Sequence, residues 1–172
     1  MSAFARVLAD HGYAGATIVR VAHEAGVAPG LIHHHFADKE DLLNALLDEL
    51  LAGFRARAQH YEAEHDRLHA YVDGALKLDA RSDTRAARCW VGVISEAVRT
   101  PSLFARFRRL LDAEIEAIRA RSQLDEQQAG ALLAFILGSL VVGAFAPRKT
   151  AGFAAPGAHA LISALRPRSG GA

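Results

Sequence analysis

The chain has 172 residues, which is enough for one domain of ordinary size or two small ones. Hydrophobic residues make up 51% and charged residues 23%, a balance that excludes a disordered or low-complexity chain. The single cysteine, Cys89, excludes an intrachain disulfide and a cysteine-based zinc site. Because the first residues also lack a basic region followed by a long apolar run, we expect a protein of the reducing cytoplasm.

Charge is unevenly distributed along the chain, although the formal net charge is only +1. Residues 1–50 hold three basic and seven acidic side chains, a net −4, and residues 51–172 carry a net +5. Neither value indicates a strongly basic surface. A nucleic-acid-binding hypothesis therefore has to rest on a motif.

Helical periodicity runs through nearly the whole sequence. Apolar residues recur three and four positions apart from Leu42 to Phe54, from Trp90 to Val98 and from Leu103 to Ile118. No run of β-branched residues alternates with polar ones. The sequence predicts an all-α protein, with three short helices over residues 2–37 and longer ones over 39–165. Helix boundaries are predicted at Gly12, Gly15, Gly26, Pro29–Gly30, Ser82–Asp83, Pro101, Pro147 and Pro156.

The segment from Thr17 to Phe36 contains the most specific motif. Ala22 is small where a second helix would cross the first, and Gly26 suits a residue of positive φ that ends that first helix. Pro29 favours an immediate start of the second helix. Thr17 can cap the first helix or donate its hydroxyl to a phosphate. This spacing predicts a helix-turn-helix, and a plain helical hairpin with a glycine turn is the alternative.

Residues 4–43, FARVLADHGYAGATIVRVAHEAGVAPGLIHHHFADKEDLL, resemble the N-terminal DNA-binding domain of the TetR family of bacterial transcriptional regulators. Trp90, Glu96–Ala97 and Pro101 loosely resemble the branch related to betaine-pathway repressors. The resemblance implies a helix-turn-helix domain over residues 1–40 and a helical ligand-binding and dimerisation domain over 41–166. A flexible tail is expected over 167–172.

The same resemblance implies a ligand-responsive regulator, more often a repressor than an activator. Such a protein binds a pseudo-palindromic double-stranded DNA operator as a homodimer and is released by a small-molecule effector, here expected to be apolar or amphipathic. Movement of the helix that starts at Lys39 would link the two domains. No cofactor is implied.

In that family the helix matching residues 29–35 enters the major groove. The residues expected to contact DNA are Thr17, Arg20, Pro29, Gly30, Leu31, His33, His34 and Lys39. Ala28 and His33 depart from the usual serine and tyrosine. Leu31 stands where threonine is common, so we expect it to contact an apolar group such as a thymine methyl.

Few permanent cations lie near this predicted interface. The slope of log binding affinity against log salt concentration is therefore predicted to be shallow, roughly −2 to −4. Because imidazole titrates near pH 6.5, His23 and residues 33–35 predict tighter DNA binding at lower pH. Alternatively, a packed His35 and neutral His33 and His34 predict little effect of pH on DNA binding.

The first helix is shorter than is usual in the family, and the family's basic arm is missing before it. Either the assigned start codon lies too far downstream, or the protein has lost this arm. The net charge of −4 over residues 1–50 and the loss of the usual serine and tyrosine favour an alternative function, a helical protein-interaction module or a regulator with a weakened DNA-binding face.

Residues 129–147 carry no charge over 19 positions, close to the length of a membrane span. Arg148 and Lys149 follow, as a cytoplasmic flank would, but small residues four apart, such as Ala134 and Gly138, favour a buried interface helix. We therefore expect no membrane contact. The helices at about 125–146 and 156–165 are expected to form a four-helix bundle at the dimer axis.

The candidate effector pocket is lined by apolar and aromatic residues on the longer helices. They are Trp90, Val93, Ile94, Phe104, Phe107, Leu133, Ile136 and Leu137. Plain core packing is the alternative for each of them. The indole of Trp90 is also suited to a cation–π interaction with a positively charged ligand.

Enzymatic and metal-binding functions find little support in the sequence. It contains no nucleophile triad, phosphate loop or HExxH motif, and we interpret Cys89 as a packed core thiol. Successive helix positions point about 100° apart, so histidines 33–35 cannot all grip one metal ion. We expect neither an enzyme nor a metal site.

Overall fold

The computed structural model describes residues 1–77 and 83–166. Nine helices lie in these ranges: α1 Ser2–Gly15, α2 Ile18–Ala25, α3 Pro29–His35, α4 Lys39–Tyr61, α5 Arg67–Leu76, α6 Asp83–Ala97, α7 Pro101–Arg119, α8 Glu126–Phe145 and α9 Pro147–Leu165. No strand occurs within either range, so the all-α prediction is confirmed. The expected tail at 167–172 and Ser82 of the predicted boundary lie outside the described residues.

Local signals explain the boundaries of the short N-terminal helices. Thr17 caps α2, since its hydroxyl oxygen accepts a hydrogen bond from the Arg20 backbone N–H at 3.2 Å. Gly26, at φ +68°, ends α2 in the left-handed region that favours glycine. Pro29 begins α3, and the Asp38 side chain caps α4. These predicted boundaries are confirmed.

Two predicted boundaries are wrong. Gly12 does not end α1 but kinks it, at φ +66°. Pro156 lies inside α9, because the helix already begins at Pro147. A proline removes the hydrogen bond to the carbonyl four residues earlier, and here that residue is Gly152, which is exposed, so water can reach its carbonyl. The second of the two expected dimer helices is correspondingly longer.

Two buried clusters hold the helices together. The N-terminal core joins α1, α2 and α4 to α6 and α7, and includes Phe4, Leu8, Leu43, Leu47 and Val93. The C-terminal core joins α5, the end of α7, α8 and α9, and includes Leu68, Val72, Ile118, Leu132 and Ile162. The helices of the helix-turn-helix segment therefore share a core with helices far along the chain.

α8 has two different faces. Leu132, Ile136 and Leu140 are buried, whereas Ala134 and Gly138 are exposed. By length and composition alone α8 could cross a membrane, with a mean hydropathy of 2.0 over its apolar window. Its buried face belongs to the C-terminal core, and its other face is apolar and uncovered in the protomer.

α4 and α5 cross at very short distance. A Cβ added to Gly74 would lie 2.4 Å from the backbone nitrogen of Ala58 and 2.6 Å from its Cα. Backbone atoms of a packed helix cannot yield as a flexible side chain can. Glycine at position 74 is therefore required for this crossing.

We predict that Gly74→Ala lowers the free energy of unfolding by on the order of 3 kcal/mol, because the added methyl group forces α4 and α5 apart. Urea denaturation followed by circular dichroism measures the change. Gly130→Ala on α8 is the matched control, since its Cβ would meet no atom within 4 Å. The control should stabilise by up to about 1 kcal/mol through helix propensity. Equal effects of the two substitutions would contradict the steric explanation.

Candidate nucleic-acid interface and adjoining cavity

α2 and α3 form the predicted helix-turn-helix, with α3 on its outer side. Ile32 packs against the N-terminal core, to which Val21 belongs. Leu31 is 47% exposed on α3, and the neighbouring imidazoles of His33 and His34 are also exposed. His35 is exposed too, so the alternative that placed it in the core is wrong. None of the seven residues of α3 is fully buried.

The predicted DNA-contacting residues fall into two groups by exposure. Seven are exposed to solvent, namely Thr17, Arg20, Pro29, Gly30, Leu31, His33 and His34. The eighth, Lys39, is only partly exposed. Ala28 precedes α3 without a side-chain cap, consistent with its departure from the usual serine. In the described parts of the chain, no group of three or more His, Cys, Asp or Glu side chains is placed to hold a metal ion.

The two nearby cations already have partners at the end of α1. Lys39 Nζ donates to the Tyr13 carbonyl at 2.8 Å and lies 4.0 Å from the centroid of the Tyr13 ring. Arg20 Nη1 donates to the Gly15 carbonyl at 2.9 Å. Cations at a helix C-terminus interact favourably with its dipole. These two side chains therefore fix α2 and α4 against α1.

α4 is also tied to α7 through polar contacts. The Ser102 hydroxyl donates to Glu40 Oε1 at 2.5 Å. The Arg106 guanidinium contacts Asp48 Oδ1 at 2.5 Å and the Asn44 side chain at the same distance. The N-terminal half of α4 is thus held on one side by α1 and on the other by α7.

A cavity of about 380 Å³ lies between α1, α4, α5, α6, α7 and α8. Most of its lining is apolar, and such concave apolar sites are typical of small-molecule binding. Five of the predicted pocket residues line it, namely Trp90, Phe107, Leu133, Ile136 and Leu137.

Three predicted pocket residues lie elsewhere, which corrects that part of the prediction. Val93 is fully buried in the N-terminal core, one helical turn beyond Trp90. Ile94, next to Val93, does not contribute to the lining, and Phe104 is 51% exposed at the start of α7. Helical periodicity identifies an apolar face but not which turn of that face meets a cavity.

The polar side of the cavity was not foreseen from the sequence. The Tyr71 hydroxyl donates to Glu114 Oε2 at 2.6 Å, which joins α5 to α7. Burial, followed by the charge of Glu114, raises the pKa of Tyr71, so the phenol stays neutral. Arg57 also lines the cavity, and its Nε donates to the Gly74 carbonyl at 2.9 Å. Two sequence features could have indicated this polar pair: a tyrosine inside the apolar run of α5 and a glutamate on the apolar face of α7.

α1 contributes to the same cavity. Ser2 and Ala5 line it together with Cys89 of α6. The Cys89 thiol donates to the Ala5 carbonyl at 3.3 Å, so α6 and α1 are joined at the cavity wall. Burial raises the pKa of Cys89 to about 11. A molecule in the cavity would directly touch α1, which packs against the helix-turn-helix.

The family described as "Bacterial regulatory proteins, tetR family" matches residues 1–46. The HTH-type transcriptional regulator BetI 1 of Chromohalobacter salexigens is 32% identical over 151 residues, 81% of this chain and 74% of that protein. The chain belongs to the TetR family. The family resemblance seen in the sequence is therefore confirmed, and this BetI similarity also supports the betaine-pathway branch.

Two further comparisons with transcriptional regulators give a consistent result. BetI of Stenotrophomonas maltophilia is 32% identical over 109 residues, 60% of this chain and 55% of that protein, so the match spans little more than half of that relative. The crystal structure of a transcriptional regulator from Rhodococcus superposes with a TM-score of 0.83 at 25% identity, covering 95% of this chain and 92% of the other. This TetR-family chain thus has the fold of a solved regulator over almost its whole length.

Because the pKa of Cys89 is raised to about 11, only about one thiol in a thousand is ionised at pH 8. We predict that iodoacetamide alkylates the folded protein far more slowly than the urea-unfolded chain, whose thiol has an ordinary pKa of about 8.5. The folded-state rate should rise about tenfold per pH unit between pH 8 and pH 10, as the thiolate fraction rises. Intact-mass spectrometry measures the rate, since Cys89 is the single cysteine. Equal rates in the folded and unfolded states would show that the thiol is not protected.

Proposed function

We propose that this TetR-family protein is a cytoplasmic, ligand-responsive repressor that binds a pseudo-palindromic operator as a homodimer. In this proposal residues 1–40 bind DNA, and residues 41–166 bind the effector and form the dimer. The observation that carries it is that α4 connects an exposed α3 at one end to the apolar cavity further along. A small molecule in that cavity releases the operator.

The DNA-binding part of the proposal rests on the exposed side chains of α3 and its surroundings. Leu31, His33 and His34 are suited to the major groove and its phosphates, and the Thr17 hydroxyl is suited to a neighbouring phosphate. Arg20 and Lys39 support the same surface but are partly engaged with α1. Permanent charge therefore contributes little to this surface.

The regulatory part rests on what lines the cavity. α4 supplies Leu46, Leu50 and Phe54, and α1 supplies Ser2 and Ala5. An effector changes operator affinity only if it binds the DNA-competent and incompetent arrangements with different affinity. A ligand that fits only when α1 and α4 shift would meet this requirement, because both helices are attached to the DNA-binding surface.

The second candidate, a helical protein-interaction module, is favoured by one observation. Residues 1–50 carry a net −4, and both permanent cations beside α3 already have partners. Such a module would bind no DNA specifically. Operator binding therefore discriminates between the two functions.

Fluorescence anisotropy with the DNA upstream of the protein's own gene tests the repressor proposal. We expect specific binding with a shallow slope of log affinity against log salt concentration, roughly −2 to −4. The double substitution His33→Gln with His34→Gln should weaken this binding, because both side chains are exposed on α3. His60→Gln is the control, since His60 is exposed at the end of α4, away from this surface. No preference over unrelated DNA would favour the interaction module instead.

The dimer part of the proposal rests on the uncovered apolar faces of α8 and α9. Val142 is 44% exposed, Phe145 81% and Phe153 43%. Gly138 lies on the same side of α8, and a Cβ added there would meet no atom within 4 Å. A surface of this composition is typical of a subunit interface.

We predict that Gly138→Glu converts the dimer to a monomer at micromolar concentration, because the dimer would bury an unpaired carboxylate. Light scattering after size exclusion measures the mass. Ala105→Glu, at an exposed position of α7, should leave the dimer intact. A wild-type monomer under these conditions would contradict the proposed assembly.

A further inference from the structure

We propose that the effector cavity selects hydrophobic amines, molecules with an apolar body and one protonated N–H group, through the carboxylate of Glu114. This inference rests on the proposed function, since it names the chemical class that the regulatory cavity accepts. Glu114 is the specificity-determining residue, and Tyr71 is its positioning residue.

The charged residues in the cavity lining differ in their exposure to water and in their hydrogen-bond partners. The lining includes two carboxylates, Glu49 and Glu114, and two guanidinium groups, Arg57 and Arg85. Glu49 and Arg85 are exposed, so water satisfies them. The Arg57 Nε donates to the Gly74 carbonyl. Of the two carboxylates in the lining, only Glu114 is partly buried.

Glu114 has one oxygen satisfied and one available. Its Oε2 accepts the Tyr71 hydroxyl at 2.6 Å, and among the described residues Oε1 has neither a hydrogen bond nor an ion pair. The side chain is partly buried in an otherwise apolar lining. A carboxylate oxygen with an unfilled hydrogen-bonding position favours a ligand that brings a donor.

Tyr71 fixes the orientation of this carboxylate. Its side chain is buried, with 4% of the residue exposed, and its ring packs edge to face on Phe54 with centroids 4.9 Å apart. The Arg121 guanidinium carbon lies over the same ring, at 5.5 Å. With the phenol held in this way, its hydroxyl has a fixed direction, and Glu114 Oε2 is bound to it. The remaining oxygen is consequently pre-organised for a ligand.

This geometry discriminates among head groups. A protonated amine donates a charge-assisted hydrogen bond to Glu114, whereas a carboxylate head would meet like charge. A quaternary ammonium has no N–H to donate, and the edge-to-face pair of Phe54 and Tyr71 does not form a pair of parallel walls around it. Phe107 and Leu137 would enclose the hydrocarbon part of the ligand.

Trp90 allows a direct test, because it is the single tryptophan of the chain and lines the cavity. Its fluorescence is titrated with octylamine, octyltrimethylammonium, octanol and octanoate, which share one hydrocarbon tail. We expect octylamine to bind about tenfold or more tighter than octanol, and octanoate to bind weakest. Octyltrimethylammonium should bind no tighter than octanol.

Substitutions test whether Glu114 causes the preference for octylamine. Glu114→Gln should reduce the affinity for octylamine to that for octanol, and improve octanoate, while octanol itself stays within about twofold. Tyr71→Phe should weaken octylamine binding to an intermediate degree, which supplies a second variant if Glu114→Gln folds poorly. Glu116→Gln is the matched control, because Glu116 is an exposed carboxylate of the same helix paired with Arg119. The control should leave all four affinities unchanged.

Three results would overturn the inference: octanoate or octyltrimethylammonium binding as tightly as octylamine, Glu114→Gln weakening all four probes equally, or no octylamine binding at all. The proposed function fails separately. If octylamine binds at Trp90 with the expected selectivity but leaves operator anisotropy unchanged, the cavity chemistry stands and the repressor proposal does not. If octanoate releases the operator and octylamine does not, the repressor proposal stands and the amine inference is wrong.

Discussion

The structure depends on α4, which has to pack in two different environments along one continuous helix. Its first half buries Leu42, Leu43 and Leu47 in the N-terminal core. Its second half places Leu50 and Phe54 beside the cavity. With 23 residues α4 is roughly 35 Å long, and a helix of this kind transmits a displacement as a stiff body. Neither end can therefore be repositioned without consequences for the other.

α1 provides a second connection between the same two regions. A Cβ on Gly92 of α6 would lie 3.3 Å from the Leu8 side chain, so α1 and α6 are in close contact beside the Cys89–Ala5 hydrogen bond. Allosteric coupling in proteins commonly amounts to about 1–3 kcal/mol. The loss or gain of a few such contacts is enough to supply it. α1, as well as α4, therefore connects the DNA-binding segment to the cavity.

The parts of the molecule that sequence reasoning predicted are those governed by local rules. Gly26 ends α2 because its backbone needs positive φ, and Asp38 begins α4 because its side chain caps exposed N–H groups. Pro156 shows where a local rule fails. Ala155 and Ala158 on either side of it are buried, and this packing stabilises α9 across the proline.

The cavity could be predicted only in part, because it is a property of the packing between six helices. Phe104 and Phe107 both belong to the apolar face of α7, yet only Phe107 reaches the cavity. The Tyr71–Glu114 pair joins residues 43 positions apart, and periodicity carries no information about such a pairing. Composition identified an apolar pocket, but the proposed preference for amines depends on the tertiary contact between Tyr71 and Glu114.

One turn of α5 connects the cavity to the rest of the molecule. Tyr71 holds Glu114 of α7, and Gly74 permits the close crossing with α4. Between them, Asp73 is fully buried, with Lys77 Nζ at 2.8 Å, His159 Nε2 of α9 at 2.9 Å and His65 Nε2 at 3.4 Å from its carboxylate oxygens. A buried carboxylate is costly without polar partners, so the contact with His159 favours keeping α5 against α9. A ligand that contacts Tyr71 therefore acts on a segment attached both to α4 and to the helix of the proposed dimer face, with no flexible element between them.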